Sequence, residues 1–126
     1  MSYNLVEVDF NVLKGKIIED VTYIEEESAI YFTTSKNKQY VLMHIDECCE
    51  DVDLVDIVGD LYSLVGNKIY LAEKISNSES KPLGRLQTTY TWTYFKLASR
   101  GGYVTLSYYG TSNGHYTEDA KLYKIV

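Results

Sequence analysis

Cysteine, histidine, proline, arginine and long apolar runs are all scarce in this 126-residue chain. The two cysteines, Cys48 and Cys49, are adjacent. Sequence neighbours do not offer the Cβ placement a disulfide needs, so no disulfide framework is expected, and a reducing cytoplasm is the compartment this implies. A single proline, Pro82, argues against a Pro-rich or linker protein. No apolar run approaches the roughly 20 residues that span a bilayer. The start, Met1 to Leu5, lacks a basic segment followed by a long apolar one, so neither a membrane partner nor a secretory leader is expected. Positive charge is the minority, with 12 Lys and Arg against 18 Asp and Glu and a net charge of -6. General nucleic-acid binding, which needs a cationic surplus to meet phosphates, is therefore not expected. A P-loop, a dinucleotide fingerprint and a nucleophile elbow are all missing.

What is present is tyrosine: 13 residues, against three phenylalanines and one tryptophan. With 45% hydrophobic and 24% charged residues, the composition is that of an ordinary globular domain, and the length suits a single domain over residues 1–126. Asp9 to Gly15 predicts a short helical turn with Asp9 as cap and Gly15 as stop. Lys16 to Glu25, Ala29 to Thr34 and Gln39 to Asp46 read as three strands of a meander, rich in β-branched residues and joined by polar tips. Leu54 to Val58 is a further extended piece, followed by a helical turn between Asp60 and Gly66. Ile69 to Ile75, Tyr90 to Ala98, Tyr103 to Tyr109 and Lys121 to Val126 are the remaining strands. Ser76 to Thr88, with its serines and the sole proline, reads as one long loop, and Gly110 to Gly114 as a turn. The expected fold class is α+β, mainly antiparallel β: a small meander or β-roll sheet with one or two short helices. Without amphipathic helices alternating with strands, a parallel βαβ architecture is disfavoured.

Several segments together resemble a family of small uncharacterised proteins of phages and bacteria, domain of unknown function 7448. They are Leu13 to Lys16, His44 to Glu50, Asp56 to Leu61, Tyr90 to Ala98, Gly102 to Val104 and Tyr109 to Tyr116. The resemblance covers most of the chain and implies a phage or prophage setting. It implies no established activity and assigns no catalytic role.

Three groups of residues bear on function. The first is His44, Asp46, Cys48, Cys49 and Glu50, whose imidazole, thiolates and carboxylates could ligate a metal or serve a cysteine nucleophile. Against this, adjacent residues of an extended strand face opposite sides, so both sulfurs do not easily reach one ion. The missing second half of a zinc site would have to come from His115. Acidic neighbours also raise a thiol's pKa, the reverse of what a reactive cysteine needs. Calcium fits less well, since the EF-hand spacing and its glycine are absent.

The second group is the aromatic hairpin. Strand alternation puts Tyr90, Trp92 and Tyr94 on one face and Thr91 and Thr93 on the other, with Tyr103 and Tyr109 sharing a face of the returning strand. Trp92 is expected in the core, with several tyrosines left at a surface where rigid rings lose little entropy on binding. The third group is basic: Arg85 and Arg100, the only arginines, flank this hairpin and could hold an anion by forked hydrogen bonds.

The expectation is a non-enzymatic cytoplasmic binding protein that needs no cofactor. Its ligand-binding residues would be Arg85, Tyr94, Arg100, Tyr103, Tyr109 and Tyr116. Its partner would be a small anionic, nucleotide-like ligand or a host protein, for instance in counter-defence. The alternative is a metal-binding or cysteine-dependent enzyme centred on His44 and Cys48/Cys49. A homo-oligomer is also compatible with exposed tyrosines.

Overall fold

A computed structural model describes residues 4–46, 50–83, 86–112 and 117–126, with side chains described throughout these except at 79–88. Among the described residues, nine strands form two sheets. In chain order they are β1 (Leu5–Val8), β2 (Ile18–Ile24), β3 (Ala29–Thr34), β4 (Lys38–Met43), β5 (Asp51–Val58), β6 (Leu71–Leu83), β7 (Leu86–Ser99), β8 (Gly102–Ser112) and β9 (Lys121–Ile125). The first sheet has the order β1-β9-β4-β3-β2 and the second β5-β8-β7-β6. All strand pairs are antiparallel. The β2-β3-β4 meander follows the expectation, and β9 returns from the far end of the chain to pair with both β4 and β1.

The mainly antiparallel β character holds, but the short helices do not form as α-helices. Phe10–Leu13 and Leu61–Leu64 are four-residue 3-10 turns, and among the described residues no α-helix occurs. Each segment is too short to close a run of i to i−4 hydrogen bonds before the next strand begins, so the tighter 3-10 bonding takes over. Asp60 still caps its turn, accepting a hydrogen bond from the Tyr62 amide at 3.0 Å. Asp9, expected to do the same, makes no side-chain cap bond. Among the described residues no helix is long and apolar enough to cross a membrane.

The expected loop from Ser76 to Thr88 is also corrected. β6 and β7 pair continuously from Leu71 opposite Ala98 to Leu83 opposite Leu86, a long hairpin arm. Serine and asparagine have weak local strand preference, but cross-strand pairing overrides propensity where a partner strand satisfies the backbone. Pro82 is tolerated because β6 is an edge strand, where an absent N–H breaks no second ladder. Similarly, Gly110, Thr111 and Ser112 of the expected turn belong to β8.

The inner faces of the two sheets share one apolar core. Phe32, Tyr40 and Leu42 of the first sheet belong to the same cluster as Phe95, Leu97, Leu106 and Tyr108 of the second. Phe95 packs against Phe10 at 4.8 Å between ring centroids and edge-on against Tyr108 at 5.7 Å. Tyr108 is fully buried, and its hydroxyl donates to the carbonyl oxygens of Ser28 (2.7 Å) and Leu42 (3.3 Å), linking the sheets across the core. Burial pushes the Tyr108 phenol pKa well up, since the phenolate would sit in a medium that cannot solvate it.

Candidate functional site

β7 changes character along its length. Towards its C-terminal end the inward residues Phe95 and Leu97 enter the core. Towards its N-terminal end the inward residues are Thr91 and Thr93, both buried. Thr91 meets a carboxylate there, whereas Thr93 Oγ1 is buried without a hydrogen-bond partner among the described residues. Glu118 is 8% exposed, and Thr91 Oγ1 donates to its Oε1 at 2.9 Å while Thr89 Oγ1 donates to its Oε2. Ser78 Oγ lies 3.0 Å from Thr91 Oγ1. The segment carrying Glu118 lies so close over β8 that a Cβ at Gly110 would stand 2.0 Å from the Glu118 carbonyl oxygen. A glycine is therefore required there for a steric rather than a conformational reason.

The alternation that turns these threonines inward turns the large rings outward. Trp92 is opposite Tyr109 on β8 and Asn77 on β6. Its ring lies 4.8 Å from Tyr109 and stacks at 6.1 Å on Tyr94, while Tyr90 stacks on Tyr109 at 6.3 Å. Asn77, Tyr90, Trp92 and Tyr109 line a depression of about 260 Å³. Trp92 is 39% exposed, which corrects the expectation that it enters the core. Alternation decided correctly which residues share a face. The face that turns inward carries Thr91, whose hydroxyl is met by Glu118, a residue far away in sequence.

The expected ligand-binding residues divide into three groups. Tyr94 and Tyr109 join the platform. Arg100 and Tyr103 do not. Arg100 is exposed in the turn between β7 and β8, and Tyr103 is opposite Ala98 at that same end. At about 3.3 Å per residue, Ala98 is some 20 Å along β7 from Trp92. Arg85 and Tyr116 lie outside the described residues. Among those described, then, no arginine reaches the aromatic face. On the β5 side it is flanked by acid, Asp53 opposite Tyr109 and Asp51 opposite Thr111, while Lys96 follows Tyr94 on the same face of β7. Ile75 and Asn77 of β6 extend the surface, in register with Tyr94 and Trp92. Sequence reading missed Asn77 because its segment resembled a loop, and placed Ile75 at the end of a strand without assigning it to this surface.

The expected metal or nucleophile cluster is partly visible. Cys48, Cys49 and His115 lie outside the described residues. His44, just after β4, and Glu50, just before β5, have side chains 4% and 0% exposed, with His44 Nε2 2.9 Å from Glu50 Oε1. Asp46 Oδ1 lies 3.6 Å from the same nitrogen. The other ring nitrogen, Nδ1, lies 3.1 Å from the backbone oxygen of Asp119, whose carboxylate is held by Lys74 Nζ at 2.5 Å. This cluster sits where the chain crosses from one sheet to the other. A cavity of about 590 Å³ adjoins it, lined among others by His44, Asp46, Tyr31, Glu26, Glu27 and Asp53.

No curated protein and no solved structure matches this chain. The family described as Domain of unknown function (DUF7448) matches residues 11–122, from the first 3-10 turn into β9. With nearly the whole two-sheet architecture inside that match, the chain belongs to this uncharacterised family.

Proposed function

We propose that this chain is a non-enzymatic binding protein that docks a partner protein on the aromatic outer face of its four-stranded sheet. The observation that carries this reading is the inverted polarity of β7: threonines buried, Trp92 and its tyrosine neighbours outward. A sheet gains nothing in folding from exposing its one tryptophan, whereas aromatic anchors dominate binding interfaces. Between the two expected partner types, the platform favours a protein over a nucleotide-like anion. Asp51 and Asp53 border it, and Arg100 is remote. Acidic residues beside exposed rings suit a partner presenting apolar and basic side chains. In the phage setting that the sequence resemblance implies, that partner is a host protein and the role is counter-defence in the host cytoplasm.

The test compares tagged full-length protein with a Trp92→Ala/Tyr109→Ala variant and an Arg100→Ala/Tyr103→Ala control, used to capture partners from host extract. Loss of a specific partner with the first variant and retention with the second is the expected result. Retention with both sinks the platform reading. Thermal shift with nucleotides serves the small-anion alternative, since a ligand bound to the native state raises stability.

A further inference from the structure

The His44 junction poses a problem of charge and protonation that the aromatic face does not address. A carbonyl oxygen only accepts hydrogen bonds, so the contact between His44 Nδ1 and the Asp119 oxygen at 3.1 Å puts the ring proton on Nδ1. Nε2 is the ring nitrogen turned to the carboxylates, with Glu50 Oε1 at 2.9 Å and Asp46 Oδ1 at 3.6 Å. A metal cation placed among these three groups would be attracted by both carboxylates and ligated by the imidazole. Water screens little of this, because the His44 and Glu50 side chains are 4% and 0% exposed.

We infer that His44, Asp46 and Glu50 form a binding site for one first-row divalent metal ion of the zinc or manganese class. One ligand atom from each residue lies within 4.8 Å of the others. Ligand atoms at the usual 2.0–2.2 Å from an ion stand about 3.0–3.5 Å apart; the two carboxylates lie 2.9 and 3.6 Å from His44 Nε2, and the three atoms need close up only slightly around an ion. Donation from Nδ1–H to a backbone carbonyl is the outer contact that orients metal-binding imidazoles. Here the residue giving that carbonyl is itself anchored, by Lys74. An imidazole with two carboxylates suits a transition ion better than calcium or magnesium, which prefer an all-oxygen shell. An entry path exists through the adjoining cavity, whose rim carries Glu26, Glu27, Asp46 and Asp53 and concentrates cations. The ion would fasten the β4–β5 crossing to the segment that leads into β9, so binding is coupled to stability.

The experiment is calorimetric titration of the chelator-stripped full-length chain with zinc chloride and manganese chloride, with a melting curve at each saturation. One ion per chain, a raised Tm, and affinity weakened at least about tenfold by Asp46→Asn and further by His44→Gln are expected. Absence of saturable binding overturns the inference. Zinc binding indifferent to both substitutions also overturns it, and assigns the metal to other ligands such as Cys48 and Cys49. Should His44→Gln fail to fold, Asp46→Asn still decides, because the Asp46 side chain is 80% exposed.

Discussion

Trp92 and Tyr109 sit directly opposite each other on neighbouring strands, ring centroids 4.8 Å apart, on the solvent side of the sheet. The next pair along, Thr93 and Tyr108, is wholly buried on the other side. One step along the strand thus separates a surface made for contact from the interior that supports it. This gives Trp92 an expected mutational signature. Trp92→Ala is expected to destabilise the fold by only about 1 kcal/mol, the worth of cross-strand and aromatic pairing. Phe95→Ala, in the core, is expected to cost about 3–5 kcal/mol. Urea denaturation of the two variants checks the contrast. Equal losses would mean that Trp92 is structural.

Because Trp92 is the only tryptophan, its emission reports on the platform directly. In the free protein it is expected to be quenched readily by acrylamide, and to be protected when the partner binds. Fluorescence unquenched in the free protein would contradict its 39% exposure.

The buried carboxylate beneath the platform is expected to matter more than its remoteness suggests. Glu118→Ala removes the carboxylate to which Thr89 and Thr91 donate, leaving them Ser112 and Ser78 as partners. The expected loss is about 1–3 kcal/mol, the worth of side-chain hydrogen bonds to a carboxylate. Glu118→Gln keeps one acceptor oxygen and is expected to lose less. Thermal melts of both variants provide the measurement.

Gly110→Ala brings a methyl group to 2.0 Å from the Glu118 backbone oxygen, a clash no side-chain rotation relieves. Overpacking of this kind is expected to destabilise by about 1–3 kcal/mol and to shift the Glu118 segment, which hydrogen exchange would register. At Gly15 nothing lies within 4 Å of an added Cβ, but φ is +88°, so there the cost of Gly15→Ala is conformational strain alone.

Tyr108 gives the fold an alkaline limit. Its pKa is raised in the folded chain relative to the ordinary 10.0, so the native state holds the phenolic proton more tightly than the unfolded state. The associated stability is complete below pH 10 and is lost as pH climbs above that value. Tyr108→Phe is expected to flatten this alkaline decline. It also leaves the Ser28 carbonyl oxygen without this donor, at some cost in stability at neutral pH. Denaturant midpoints measured from pH 8 to pH 11.5 test both parts.

Much of this molecule was legible from residue order alone. Alternation of Ile30 and Phe32 against Tyr31 and Thr33 set the pleat of β3, and Gly15 and Gly66 marked where the short turns end. Family membership was carried by segments spread along the chain. These properties are local or additive, and near neighbours dictate them. Three things needed the folded chain. Whether Ser76 to Pro82 is loop or strand depended on pairing with a partner strand, from Pro82 opposite Gln87 to Ser76 opposite Thr93. The outward turn of Trp92 goes with long-range packing of the opposite face, where Glu118 meets Thr89 and Thr91 and Thr93 faces Tyr108. The convergence of His44, Asp46 and Glu50 under the Asp119 carbonyl depended on the chain crossing between sheets. Period-two patterning states which side chains share a face. Only long-range packing, through burial and hydrogen-bond satisfaction, decides which face meets water.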